Sequence, residues 1–278
     1  MLLRCADREL DLSTPVVMGV LNLTPDSFSD GGRFVDIGAA IARAEQMLEQ
    51  GATIIDVGGE STRPGAAPVA LVEEIDRVMP VLRALVRRGA LVSIDTSKPE
   101  VIRAALEAGV HLVNDVYALR RPGALEAAAA GRAAVCVMHM QGEPRSMQQD
   151  PRYEDVFAEV TDFLRLRVAA CEAVGITRDR LLVDPGFGFG KTVAHNLELL
   201  RRLREIAPPG IALLAGLSRK SMLGALTGRA VEGRLAGSLA LAFAALEGGA
   251  RIIRCHDVAE TLDVVKVWTA WRGDGERQ

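Results

Sequence analysis

The sequence predicts an α/β protein: a closed TIM (β/α)8 barrel preceded by a short N-terminal hairpin. Three observations lead there. Eight short β-branched, apolar runs recur along 278 residues, segments with helical spacing lie between them, and the runs end in polar or charged groups. Strand followed by helix, eight times over, favours a closed parallel sheet over the doubly wound open sheet that shares the alternation. A parallel barrel gathers the carboxyl ends of its strands on one rim, where such folds keep their chemistry. The polar ends are therefore expected to converge.

Residues 1–12 read as a hairpin turning at Ala6 and Asp7, without the long apolar run of a signal peptide or membrane span. The first barrel strand is expected at 16–23, ending at Asn22 and Thr24, and the second at 53–57, with Asp56 and Glu60 at its end. A third run, 91–95, closes on Asp95. After it Ser97 and Glu100 form a capping-box pattern, Val101, Ile102, Ala105 and Leu106 an apolar stripe, and Gly109 a stop. The fourth strand, 112–115, carries Asn114, and the alanine run 127–130 reads as a small-residue helix. The fifth, 134–139, leads to a helix whose Val156, Val160, Phe163, Leu164 and Val168 share one face, stopped by Gly175. The sixth is 181–184, the seventh 212–218 followed by Arg219 and Lys220, and a helix over 236–246 leads into the eighth, 251–256. Three long loops, 22–36, 58–69 and 140–153, all follow strands and so belong to the reactive rim. No linker interrupts the pattern, so residues 1–278 are read as a single domain.

The net charge of −3 and pI near 5.9 supply no broad basic field, which argues against a nucleic-acid partner and leaves anions to local pockets. Cys5, Cys136, Cys171 and Cys255 are widely spaced with no C-x-x-C, the pattern of reduced, buried thiols with no metal implied. A cytoplasmic protein without a membrane partner is expected.

The segment ending Gly190-Lys191-Thr192 invites a phosphate-loop reading, but Pro185 stands where the motif needs its first glycine, and Lys191 breaks the dinucleotide pattern. Its glycines instead suit backbone that approaches a flat ligand, with Asp184 at the strand end and Phe189 as a wall; the plain alternative is a tight turn. Lysine occurs only at 98, 191, 220 and 266. A compact ammonium at Lys220, beside a Ser221 that opens a helix, suits an anion such as a carboxylate, although a solvated cation cluster would have the same sequence. Asp95 and Asn114 end adjacent strands and suit a heterocycle rich in NH groups, whereas Asp56 and Asp115 read as structural. Arg254 and His256 alternate onto one face of the last strand, where barrels grip phosphate and Arg bonds oxygens bidentately. His139 lacks an acidic or histidine partner at ligand spacing, and His111 and His195 read as structural or surface. Loops 60–65 and 22–28 read as lids. With no H-E-x-x-H, cysteine cluster or three-carboxylate set, a transition metal is disfavoured, while Mg²⁺ needs few protein oxygens and is compatible.

These residues fall in the segments MGVLNLTPDSFSDGG, ATIIDVGGESTRPGA, SIDTSKPEV, NDVYAL, VCVMHMQGEP, LLVDPGFGFGKT, GLSRKSMLG, GSLA and IIRCHDV, and through them nearly the whole chain resembles the dihydropteroate synthase family. The resemblance implies condensation of a dihydropterin-6-ylmethyl diphosphate with 4-aminobenzoate, on a homodimeric barrel with Mg²⁺, with sulfonamides as competitors. It implies that Asp95, Asn114, Val116, Met138, Asp184, Phe189, Gly216 and Lys220 hold the pterin. Asn22, Thr62, Arg63, Arg254 and His256 would bind the diphosphate, Asn22 also through Mg²⁺. Phe28, Thr62, Pro64, Phe189, Arg219, Lys220 and Ser221 would bind the aminobenzoate, and Asp95, Lys220 and Arg63 would act in catalysis. The family's C–O bond breaks first, so no strong base is required and Asp95 would stabilise the resulting cation electrostatically. A pterin-dependent methyltransferase or a non-catalytic pterin-binding paralogue would share the Asp95, Asn114 and Asp184 pocket.

Overall fold

The eight expected strands close into one parallel barrel in the computed structural model, which describes residues 1–24, 36–61 and 65–273. Strands β1 (Leu2–Cys5) and β2 (Arg8–Asp11) form a separate antiparallel hairpin, with Ala6 at φ 60° in its turn. The barrel strands are β3 (Val16–Asn22), β4 (Ile54–Gly58), β5 (Leu91–Asp95), β6 (Leu112–Asp115), β7 (Ala134–Met138), β8 (Leu181–Asp184), β9 (Ala212–Ala215) and β10 (Ala250–Cys255), paired in sequence order with β10 returning to β3. The described helices are α1 (Ile37–Glu49), α2 (Leu71–Arg87), α3 (Pro99–Glu107), α4 (Ala124–Ala130), α5 (Val156–Ala173), α6 (Val193–Arg201), α7 (Ser221–Thr227), α8 (Leu235–Glu247) and α9 (Val258–Trp271).

Two apolar layers hold this frame. Outward strand residues such as Ile55, Val92, Val113, Val135 and Val183 meet the helices' inner faces, including Val101, Ile102 and Ala105 of α3 and Val156, Val160, Leu164 and Val168 of α5. Inside the barrel, Met18, Ile54, Leu91, Leu112, Leu182, Leu214 and Ile252 form a second cluster with Leu3, Cys5, Leu10 and Leu12 of the hairpin. The hairpin's buried side chains thus pack onto the amino-terminal end of the barrel, because its alternation leaves one face apolar and the barrel interior offers it cover. One register step further along the strands, inward positions turn polar. Asp56 pairs with Ser93, Asp95 with Asn114, and Met138 with Asp184 across neighbouring strands.

Two local expectations fail. The seventh strand ends at Ala215 rather than 218, since the chain leaves the ladder to make a turn in which Arg219 adopts φ 57°. The Ser97–Glu100 capping box does not form. Pro99, with no N–H to satisfy, takes the first helical position, which moves the cap to Lys98, whose N–H bonds Thr96 Oγ1 at 3.3 Å. All four cysteines are free and buried, as expected for structural thiols.

Candidate functional site

The carboxyl ends of the strands surround a cleft of about 440 Å³, lined among others by Asn22, Asp95, Phe189, Gly216, Ser218, Arg219, Lys220, Ser221, Arg254 and His256. Its floor is a smaller pocket sharing Asp95, Phe189, Gly216, Lys220 and Arg254 and adding Asn114, Val116, Met138, Asp184 and Phe187. The structure therefore brings all eight residues expected to hold a pterin onto one pocket. Strands β5 to β8 contribute Asp95, Asn114, Met138 and Asp184 from their ends, and the loops that follow strands contribute Val116, Phe189, Gly216 and Lys220. Phe28, Thr62, Arg63 and Pro64 lie outside the described residues.

The floor's charges are arranged around one arginine. Arg254 extends inward from β10, where Nε donates to Asp56 Oδ2 at 2.6 Å and an NH2 group donates to Asp95 Oδ2 at 2.7 Å. Asn114 Nδ2 also donates to Asp56 Oδ2, at 3.1 Å, leaving Asp56 Oδ1 buried without a partner. Burial raises Asp95 to about 7, against the opposing pull of Arg254. Burial also raises Asp184, although the Gly186 N–H donates to its Oδ1 at 2.7 Å and Lys220 favours its charge. Lys220 falls to about 8 because burial outweighs the attraction of Asp184. Its ammonium sits 4.2 Å from the centre of the Phe189 ring. The pocket thus offers two buried carboxyls, an amide and an ammonium within an apolar frame of Val116, Met138 and Phe187, a donor and acceptor set suited to a flat heterocycle.

Toward the mouth the groups change. His256 Nδ1 lies 3.1 Å from Ser218 Oγ, which also accepts the His256 N–H at 3.2 Å. Arg254 is not the open fork the sequence suggested. Two of its three nitrogens serve buried carboxylates, which need donors to offset desolvation. Arg219 is likewise engaged, gripped at both ends of its guanidinium by Asp257, with Nε 3.0 Å from Oδ2. Its N–H donates to Ser238 Oγ at 2.9 Å, which fixes the left-handed turn placing Lys220 at the cap of α7. Ser221 stands exposed at the first position of that helix.

Behind the rim, a buried cluster ties the 60–65 loop's stem to the frame. Lys98 bonds both Glu60 and Glu74, and Thr96 Oγ1 donates to Glu74 Oε1 at 2.6 Å. Burial works against the Lys98 charge, but the two carboxylates outweigh it and raise its pKa. Asp115 accepts the Tyr117 and Leu119 N–H groups at 2.8 Å, the structural role expected of it. The sequence reading missed Ser218, Asp257 and the Lys98 cluster. Only Lys98 carried a signal, as one of few lysines placed after a strand.

Lys191 and His139, which looked incidental in sequence, meet beneath the glycine loop. Lys191 is 3% exposed, and its Nζ lies 2.9 Å from His139 Nδ1, 3.0 Å from Gly186 O and 3.1 Å from Phe189 O. Burial, reinforced by the Lys191 charge, pushes His139 down to about 2. Among the described residues no group of three or more His, Cys, Asp or Glu is placed to hold a metal, and no helix is long and apolar enough to cross a membrane.

Residues 18–256 match a family described as pterin binding enzyme. The dihydropteroate synthase of Escherichia coli (strain K12) is 54% identical over 93% of this chain and 92% of its own length. A Yersinia pestis dihydropteroate synthase, solved with a sulfonamide drug complex, superposes with a TM-score of 0.93 at 50% identity, covering 98% of this chain and 100% of that one. A Burkholderia cenocepacia dihydropteroate synthase complexed with 7,8-dihydropteroate gives a TM-score of 0.91 at 46% identity, covering 100% of this chain and 98% of that one.

Proposed function

The chain belongs to the dihydropteroate synthase family, and we propose how its rim cleft divides the labour of that reaction. The enzyme joins (7,8-dihydropterin-6-yl)methyl diphosphate to 4-aminobenzoate, giving 7,8-dihydropteroate and diphosphate. The observation that carries the assignment of residues is the single floor pocket lined by all eight of Asp95, Asn114, Val116, Met138, Asp184, Phe189, Gly216 and Lys220. Asp184 accepts from the two neighbouring NH donors of the aminopyrimidinone edge, using Oδ2 and the lone pair that Gly186 leaves on Oδ1. Lys220 donates to the ring carbonyl and N5. Contacts with NH donors favour the charged carboxylates, which offsets the burial that raises Asp95 and Asp184.

The diphosphate lies toward Asn22, His256 and Arg254, with Ser218 holding the His256 ring. Asn22 offers a neutral amide oxygen at that edge, which fits an ion bound chiefly by substrate phosphates rather than by a protein cage. With Asn22 as its protein ligand, bound Mg²⁺ would neutralise charge building on the departing diphosphate. Asp95 faces the methylene carbon with a carboxylate that steadies positive charge there as the C–O bond breaks, an effect worth ~3 kcal/mol for a well-placed group. The arylamine is neutral at pH 7 and its nitrogen lone pair captures the cation without a base; the resulting acidic anilinium then loses its proton to water. Its ring lies against Phe189 and the Lys220 stem, with its carboxylate toward Ser221; Arg219, tied to Asp257, shapes this wall rather than reaching in.

We further read residues 1–278 as one domain and the working state as a homodimer, consistent with Val267 and Trp271 standing 61% and 62% exposed on one side of α9. Four buried free thiols suit the reducing cytoplasm. Purified protein given the pterin diphosphate, Mg²⁺ and 4-aminobenzoate should release diphosphate and form dihydropteroate in equal amounts. Turnover no higher than that of Lys220→Ala would sink the assignment.

A further inference from the structure

We propose that Lys191, braced by His139, is a positioning residue for the pterin pocket: its buried ammonium sets the shape of the glycine loop and thereby the placement of Asp184, Phe189 and Lys220. The inference rests on the pterin reading of the floor pocket. An ammonium has three hydrogens and no lone pair, and three acceptors stand within 3.1 Å of Nζ: His139 Nδ1, Gly186 O and Phe189 O. Burial brings Lys191 down to about 7, and in its charged form it can only donate, so His139 Nδ1 then accepts and the ring hydrogen is on Nε2. The ring is fixed edge-on against Phe163, with centres 4.9 Å apart, so the acceptor is held still.

The two carbonyls that Lys191 gathers bracket the loop. Next to the first, the Gly186 N–H donates to Asp184 Oδ1 at 2.7 Å, fixing which carboxylate oxygen faces the ligand. Next to the second, Phe189 carries the ring under the Lys220 ammonium. Between them Gly188 has φ 80°, and a β-carbon there would stand 3.1 Å from Lys220 Cδ, so the lysine stem lies directly on this backbone. Gly186, at φ 69°, passes so close to His139 that a β-carbon would collide with the His139 carbonyl. Lys191 thus bonds the backbone of Gly186 and Phe189 and the ring of His139, and acts on the pocket through the loop that carries the Asp184 partner and the Phe189 ring. Asn196 Oδ1 accepts the Gly188 N–H at 2.8 Å, Gln148 donates to Gly188 O and the Tyr153 hydroxyl donates to Gly190 O at 2.7 Å, while Lys191 holds the carbonyls of Gly186 and Phe189.

The test separates shape from stability. Lys191→Met keeps the length of the side chain and removes its donors, and His139→Leu removes the ring acceptor while leaving Lys191 three backbone carbonyls, those of Gly186, Phe189 and, at 3.4 Å, His139. His139→Asn restores an acceptor near the Nδ1 position. Calorimetric binding of 6-hydroxymethylpterin should weaken about tenfold or more in Lys191→Met and His139→Leu, since misplacement by an ångström costs up to about a hundredfold. The KM for 4-aminobenzoate should rise as well, because Phe189 and the Lys220 stem form part of that ring's wall, and His139→Asn should stay near wild type. If Lys191→Met does not fold, His139→Leu alone decides. Lowered melting temperatures with unchanged pterin affinity in the folded variants would overturn the inference and leave the pterin reading standing. Absence of pterin binding by the wild type would overturn both.

Discussion

Removing the Asp56 carboxylate tests the electrostatic frame of the floor, because this side chain is fully buried and its Oδ2 takes both the Arg254 Nε–H at 2.6 Å and the Asn114 amide at 3.1 Å. In Asp56→Ala the charge-assisted bond is lost, worth about 2 kcal/mol, and the Asn114 donor is stranded, worth about 1.5 kcal/mol. Against these, the variant no longer buries the partnerless Oδ1, which returns about 1.5 kcal/mol. The net loss is about 2 kcal/mol, or a melting temperature lower by about 4 to 8 °C for a domain of this size. Asp56→Asn should lose less, because its amide oxygen can still accept from both donors. Chemical denaturation followed by circular dichroism measures the stabilities, and steady-state kinetics should show KM for the pterin diphosphate rising in the alanine variant, as Arg254 turns wholly to Asp95. Stability of Asp56→Ala within 0.5 kcal/mol of wild type, an arbitrary bound of about a quarter of the expected loss, would refute the reasoning.

Asp95 holds its proton more tightly in the folded protein, where burial raises it to about 7, than in the unfolded chain. It therefore adds stability below about pH 4 that disappears as pH rises through 7, so Asp95→Asn should flatten this part of the decline in unfolding free energy; an unchanged slope would contradict the assignment. Gly188→Ala should fold with a cost of about 1 to 2 kcal/mol for the left-handed backbone and weaken pterin binding through Lys220, whereas Gly186→Ala, facing a carbonyl, should fail to accumulate as folded protein. At the opposite end of the barrel, Leu12→Ala removes a side chain with no exposure and should cost about 3 kcal/mol with both KM values unchanged. A shift in either KM would show that the two ends communicate.

Strand positions were legible because β-branched runs are short, and because in a parallel barrel the last inward residue of each strand must face the rim. That single rule places Asp95, Asn114 and Asp184 on one rim before any coordinates, whereas Lys220, beyond its strand, joins them through the family resemblance. It could not say where a long side chain would turn. The sequence places Arg254 at the phosphate edge but could not show that Asp56 and Asp95, 198 and 159 residues away, also bond it. The Arg219 and Asp257 pair and the Lys191 and His139 pair were hidden for the same reason, since 38 and 52 residues separate partners that only the closed sheet brings together. The capping box failed on a local rule rather than a distant one, because Pro99 competes for the same turn.

The hairpin packed on the barrel's far end has a kinetic consequence. With Leu3, Cys5, Leu10 and Leu12 filling that end, the barrel is a cup rather than a tube, and everything enters and leaves past the same lip. On the proposed placement, the pterin at the floor would enter before the aminobenzoate, and the joined product would leave by the mouth through which its halves came.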